Sequence, residues 1–336
     1  MGFLHGHGER TRTGWIPNHN NAATIGKCLA GVLASKYSNF EVIVVDDGST
    51  DNSKAEIKKF PCRLIELDKQ TGAARARNIG ARHSRGELLF FTDADCVLEK
   101  ETLATAAISS ATAGIGTIIG GTYTVRPYDQ GFFNSFQSLY IHHSETKSCA
   151  APDYLATHAL AINRSVFEKN GGFDENFMPI LEDVEFSHRM KKNGFKLRID
   201  PHIQVRHIFN FSLFRSLGNA IRKASYWTLY SLRNHDLLTD SGTASIELKV
   251  NVVSMFLILA LTAYGLHSHN LWPISLAGLT FCGNMYVSRR LLKLFYLEEG
   301  FLFMVGALLY YSLLYPFAVA IGAVRGMLLF AAGKYK

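Results

Sequence analysis

Two apolar runs in this chain do not alternate, and nothing else in the sequence limits its architecture as much. In "EVIVVDDGSTDNS" a strand from Glu41 to Val45 carries consecutive apolar residues into a turn rich in Asp, Gly and Ser, and "ELLFFTDADC" does the same over Leu88–Phe91. A strand with water on one face alternates apolar and polar side chains. A continuous run has to be covered on both faces. "CRLIEL" and "TIIGGTYTV" read as further strands, and "GAARARNIGARHS" as an Ala-rich helix opened by Gly72. Such strands interleaved with helices predict an α/β fold, a Rossmann-like and mostly parallel sheet with helices on both faces. Its first strand reads poorly. Ahead of "NHNN" the chain offers only the short "GWIP", and the residues before it do not look like a strand.

In open parallel sheets ligands sit outside the carboxyl ends of the strands. Both apolar runs end there in acid, one in Asp46 and Asp47, the other in Asp93 and Asp95. In extended backbone, residues two apart share a side, so Asp93 and Asp95 would face one ligand. Their mutual repulsion asks for a cation, and oxygen donors suit Mg2+ or Mn2+, which leave positions for phosphates. Taken singly, each stretch has a plain structural reading: "DDGSTD" as a turn, and Asp95 as the cap of a helix starting near "LEKETLATAA". A third stretch, "GGFDENFMPILEDVEFSHRMKKNG", sets Pro179 ahead of a helix whose first turn holds Glu182 and Asp183. A helix N-terminus favours an ionised carboxylate, which would help Asp183 accept a proton. The plainer alternative is dipole complementation, with Glu185 and Arg189 as an i,i+4 pair.

The order of these stretches, with "IPNHNN" ahead of them and "VRH" behind, resembles the family 2 glycosyltransferases of the GT-A fold over residues 16–207. The resemblance implies an inverting transfer of sugar from a nucleotide-diphosphate donor to an acceptor hydroxyl. It implies donor-nucleotide contacts from Pro17, Asn20, Asp46, Asp47, Arg77, Asn78 and Asp93, with Asp46 or Asp47 on the base and Asp93 nearer the ribose. Asp95 would hold the metal with His207 close by, Asp183 would be the general base, and Glu182 its neighbour at the acceptor. His158 stands where that family more often has asparagine, and a hydrogen-bonded core histidine is the alternative. Glycosidases also use paired carboxylates, but they need no metal-bound diphosphate.

Other classes fit less well. A nucleotidyltransferase would open with a Gly-rich, cationic loop, which "NHNNAATIG" is not. "GIGTIIGG" misses the dinucleotide-binding spacing and runs into a strand instead of opening a helix. A non-catalytic membrane scaffold is the remaining competitor, supported by the short first strand.

Composition adds the membrane. Hydrophobic residues are 48% of the 336 and mean hydropathy is +0.06, with the excess concentrated after residue 247. Val250–Leu266 and Leu271–Val287 are barely long enough for a bilayer core of roughly 30 Å, and the "HSHN" between them permits only a helical hairpin. Phe301–Ala332, interrupted by Pro316 and Arg325, would be one tilted helix or two short ones meeting near the proline. Residues 206–246 mix rings with Arg215, Arg222, Lys223 and Arg233, as an interfacial helix does, or an amphipathic helix packed on the domain.

The expected division is therefore a catalytic domain over 1–205, an interfacial region over 206–246, and a membrane domain of two to four helices over 247–336. Arg289, Arg290 and Lys293, against no Lys or Arg in "HSHN", put the catalytic part on the cytoplasmic side of an inner membrane, and Lys334 and Lys336 prefer the same side. Residence at a bilayer points to a lipid-linked or envelope-glycan acceptor. The net charge of +7 suits phosphorylated substrates or anionic lipid, and no nucleic-acid partner is expected. Five scattered cysteines without a CxxC pair read as free thiols. "MGFLHGHGERTRTG" has no apolar signal-peptide core, and its His5 and His7 read as a loose terminus, not a metal site.

Overall fold

The computed structural model describes residues 12–334, so the expectations for His5, His7 and Lys336 lie outside the described residues. The chain forms two compact units. One comprises residues up to Thr124 together with Ser148–Ile208, the other Val125–Lys147 together with Phe209 onwards.

The first unit runs β1 (Arg12–Asn18), α1 (Ile25–Leu33), β2 (Phe40–Asp46), α2 (Ser53–Ile57), β3 (Arg63–Glu66), α3 (Ala73–Arg82), β4 (Leu88–Phe91), β5 (Cys96–Leu98), α4 (Thr102–Ala113) and β6 (Thr117–Tyr123). After α5 (Phe132–Thr146), which belongs to the second unit, it resumes with β7 (Leu160–Asn163), α6 (Arg164–Lys169), α7 (Glu182–Lys192) and β8 (Lys196–His207). The sheet order is β3-β2-β1-β4-β7-β6-β8-β5. From β3 to β4 every pairing is parallel, as the unbroken apolar runs require. Beyond β4 the sheet is mixed: β7 runs antiparallel to both neighbours and β5 antiparallel to β8, while β6 and β8 are parallel.

The poor first strand is a correction. β1 pairs with β2 along its whole length and with β4 over its first four residues, in register Ile16 to Val44 and Asn18 to Asp46. A strand bonded on both sides takes its conformation from its neighbours more than from its own side chains. Only short apolar content was needed here, with Gly14 and Ile16 buried. The helix expected near "LEKETLATAA" starts at Thr102 with Glu101 at its cap position. Asp95 is therefore no cap; it lies in the turn leading into β5. Below the acid-bearing edge, the rings of Phe91, Phe167, Phe173 and Phe186 pack with centroids 4.9 to 5.6 Å apart. This cluster ties the end of β4 to α6, α7 and the loop between them.

The second unit contains α5, α8 (Leu213–Asn234), α9 (Ile246–Ser268), α10 (Leu271–Val287), α11 (Arg289–Glu299), α12 (Phe301–Leu309) and α13 (Tyr315–Ala331). The break expected at residue 205 thus misplaces residues 125–147. Phe136 and Tyr140 of α5 pack against Tyr310, Tyr311 and Tyr315, an aromatic match that no run of hydrophobic residues announces. The third apolar stretch is one continuous helix with a π-helical turn at Tyr310–Leu314. That wider turn falls just before Pro316, whose ring and missing N–H demand local rearrangement. Inside the unit, Asn251 donates to the Tyr311 carbonyl at 2.7 Å and Asn284 donates to Asn251 at 2.8 Å. Among the described residues, α9 and the helix Phe301–Ala331 are long and apolar enough to cross a membrane by length and composition.

α8 and α13 touch through backbone. Gly322 and Gly326 are spaced as G-x-x-x-G, and a Cβ on them would come within 2.5 Å of the Ile221 carbonyl and 2.4 Å of the Ser225 carbonyl. Small residues at this spacing let helices approach closely. Gly326→Leu is expected to lower stability by about 1–3 kcal/mol, read as a lower melting temperature of the solubilised protein. An unchanged melt would mean that the two helices part without penalty.

Candidate active site

At the carboxyl ends of β1 and β2, Asn18 donates through Nδ2 to Asp46 at 2.8 Å, and the Ser49 hydroxyl donates to the same carboxylate at 2.6 Å. Asp46 is fully buried. It fixes the turn and has no surface to offer a nucleotide base. Asp47 accepts from the Thr71 N–H and hydroxyl and from the Gly72 N–H, each at 2.7 Å, so it anchors the loop that opens α3. Asn20, with φ of 53°, accepts from the Thr50 and Asp51 N–H groups and clamps the facing turn; Pro17, in β1, is half-buried.

α3 then delivers Arg77 and Asn78. Asn78 donates to the Phe173 carbonyl at 2.8 Å and to Glu175 at 2.9 Å, and accepts from the Phe173 N–H at 2.9 Å. All of this holds the "GGFDE" loop. Gly172 is required there, because a Cβ would sit 2.5 Å from the Asn78 side-chain oxygen and φ is +63°. Arg77 is 5% exposed and bridges Asp93 at 2.6 Å and Glu182 at 2.5 Å. Burial opposes its charge, but the two carboxylates outweigh that and raise its pKa.

Glu182 and Asp183 open α7, as expected from "EDVEFSHRM", and Glu185 pairs with Arg189 at 2.7 Å. The residue before them, Leu181, has φ of 74°, a conformation that costs a non-glycine residue about 1 kcal/mol or more. The strain sits where the two acids must be aimed. Asp183 corrects one expectation. The helix N-terminus does not win: burial, then the Glu182 charge, push its pKa up to about 7, with Arg77 opposing and Asp93 adding.

Asp93 and Asp95 correct another. β4 ends at Phe91, and the chain turns, with the Cys96 N–H bonded to the Asp93 carbonyl at 3.0 Å. The two acids are not neighbours on one extended face. Asp93 reaches Arg77, while Asp95 lies 3.5 Å from His207 Nε2. Burial, followed by the Asp93 charge, raises the Asp95 pKa against the opposing pull of His207. Asp93 therefore acts electrostatically on both Asp95 and Asp183, which places the three acids in one field. The "VRH" histidine, His207, is the last residue of β8. His207 packs edge-on to Tyr123 at 5.1 Å, and buried His158 lies against the same ring at 4.1 Å.

Two residues at this site escaped sequence reasoning. Tyr123 carried no signal beyond its place in a strand. Cys96 did carry one, its position directly after "DAD". Asp95, Cys96 and His207 bring one donor atom each to within 4.8 Å of one another, a set that fits a divalent cation.

A half-parallel sheet with acids beyond β2 and β4 and a carboxylate pair opening a late helix defines a GT-A type α/β fold. Residues 15–170 match the family described as glycosyl transferase family 2. Glycosyltransferase AglE of Haloferax volcanii is 31% identical over 192 residues, 54% of this chain and 62% of AglE. The Escherichia coli UDP-Glc:alpha-D-GlcNAc-diphosphoundecaprenol beta-1,3-glucosyltransferase WfgD is 34% identical over 83 residues, 24% of this chain and 33% of WfgD. The chain thus spans less than two thirds of the length of these curated relatives. A mannosyltransferase from Pyrobaculum calidifontis, solved with GDP-Man and Mn2+, shares the fold with a TM-score of 0.58 at 18% identity, over 97% of this chain and 88% of that one.

Proposed function

We propose that this is a membrane-attached, inverting glycosyltransferase. It moves a sugar from a nucleotide-diphosphate donor to a hydroxyl of a lipid-linked or envelope-glycan acceptor. The catalytic unit faces the cytoplasm, and α8 lies at the surface of the inner membrane that the apolar helices span. One feature carries the reading: Asp183, its pKa pushed up to about 7 by burial and the Glu182 charge, stands beside the Arg77 bridge and within reach of the Asp93 charge, which also acts on Asp95.

In this reading Asp183 takes the proton from the acceptor hydroxyl as that oxygen bonds to the anomeric carbon. The bond from that carbon to the diphosphate breaks on the opposite face, and the nucleoside diphosphate leaves with the electron pair. Asp95 and His207 would hold a divalent cation, Mg2+ or Mn2+, which when bound offsets charge on the leaving diphosphate. Arg77 keeps Asp93 and Glu182 fixed, and Asp47 holds the loop through which α3 reaches the nucleotide. The resemblance to family 2 also supports Pro17, Asn20 and Asn78 as parts of the nucleotide site; the side-chain bonds that Asn20 and Asn78 make here are those of supports for its loops.

The test is a screen of nucleotide sugars with Mn2+ or Mg2+ against membrane lipid extracts. Transfer is expected, lost with EDTA and with Asp95→Ala. Metal-independent transfer would refute the cation assignment. Absence of any metal-dependent nucleotide binding would favour a scaffold. The pH profile gives a second check. Only ionised Asp183 accepts a proton, so the rate should fall as pH drops through about 7. A rate still flat at pH 5 would remove Asp183 as the base.

A further inference from the structure

We propose that Cys96 is a third ligand to the cation held by Asp95 and His207, which gives this site a sulfur donor and a preference for Zn2+ and Co2+ over Mg2+. The inference rests on the reading of Asp95 and His207 as cation ligands. Cys96 and His207 are direct partners on antiparallel β5 and β8, so their side chains leave the sheet on the same face. Asp95 immediately precedes the pair. One of its oxygens is 3.5 Å from His207 Nε2, and the other is 3.8 Å from Cys96 Sγ.

Donors of one coordination shell, at bond lengths of about 2.0–2.3 Å, lie roughly 3–4 Å apart. An ion between these three atoms therefore asks only for small side-chain adjustments. Cys96 is fully buried, so water does not compete for its sulfur. As the metal–sulfur bond forms, the S–H bond breaks and its proton leaves to solvent. A site of carboxylate and imidazole alone takes Mn2+ more readily than Mg2+, because imidazole suits the first-row transition ions. Adding a thiolate moves the preference toward softer ions, because sulfur is a poor partner for Mg2+. The expected consequence is strong binding of Zn2+, in competition with whichever ion supports transfer.

Co2+ titration of the full-length solubilised protein tests this without any activity measurement. Visible ligand-field bands report that the ion is bound, and thiolate-to-cobalt charge transfer in the near ultraviolet reports sulfur ligation. Wild type should show both. Cys96→Ser should keep the visible bands, lose the charge-transfer band and bind Zn2+ at least about tenfold more weakly, while Cys28→Ser keeps everything. Visible bands without charge transfer in wild type would overturn the proposal and leave Asp95 and His207 as ligands. Charge transfer that survives in Cys96→Ser would overturn it equally. If the visible bands survive Asp95→Ala and His207→Ala, or if wild type binds no Co2+, the cation site itself falls and this proposal with it. Because the wild-type spectrum alone can refute the idea, a variant that fails to fold does not protect it.

Discussion

Asp183→Asn is expected to abolish transfer while making the protein more stable above pH 7. The two effects share one cause. Asp183 is held half-buried at the start of α7, against Glu182 and within reach of the Asp93 charge, and its pKa stands near 7. Asparagine keeps the shape and cannot take a proton, so the base contribution proposed for Asp183, about 10²–10⁴ in rate, disappears. If instead the variant turned over as fast as wild type, another group would be the base.

The stability half has a definite sign. Folded Asp183 holds its proton up to about 7, whereas an unfolded aspartate releases it near 4. Between those values the folded state binds more protons, so wild-type stability falls as pH rises through the window. Asparagine has no proton to lose and escapes that penalty. A three-unit shift is nominally about 4 kcal/mol; for a half-buried carboxyl, screening reduces it to about 2. Thermal melts of both proteins should coincide near pH 4 and diverge by pH 8, the variant melting higher. Parallel curves across that range would mean that Asp183 is ordinary and the field around it weaker than described.

The half of the sheet that binds ligands in folds of this type was legible because it is local. "EVIVV" and "LLFF" are buried strands wherever they occur, and the acids that follow them stand at the sheet edge by topology alone. What was not legible depends on pairing between distant residues. β1 reads poorly because its neighbours supply its order. β5 is three residues long and becomes visible only when β8 lies beside it, and with it the alignment of Cys96 with His207. Asp93 and Asp95 look equivalent in "DAD", yet a turn after Phe91 sends one to Arg77 and the other to His207. The burial that raises the Asp183 pKa is likewise a tertiary effect, and it outweighs the dipole that the sequence does announce. Residues 125–147 joined the second unit for a similar reason, since the rings that pack on α5, Tyr310, Tyr311 and Tyr315, lie far from it along the chain.

Arg77→Met is expected to destabilise the first unit by about 3–5 kcal/mol, the usual consequence of removing one member of a buried charge network. Arg77 is the counter-ion to two acids from separate segments, Asp93 after β4 and Glu182 at the start of α7. Without it they face each other and Asp183 with no compensating charge. Arg77→Lys keeps a cation but cannot extend two directed donors to both carboxylates, so it should fall between wild type and Met. Two readouts separate this account from simple loss of packing against Phe173. First, adding Asp93→Asn and Glu182→Gln to Arg77→Met should recover part of the deficit, because the uncompensated charges are gone, whereas a packing defect would persist. Second, Arg77 opposes the rise in the Asp183 pKa, so residual transfer by Arg77→Lys, whose cation sits less close, should show its acid limb displaced above the wild-type position near 7. A limb that stays in place would mean that Arg77 stabilises the fold without tuning the base. A limb that moves would make this one buried guanidinium the link between the stability of the sheet edge and the pH at which transfer proceeds.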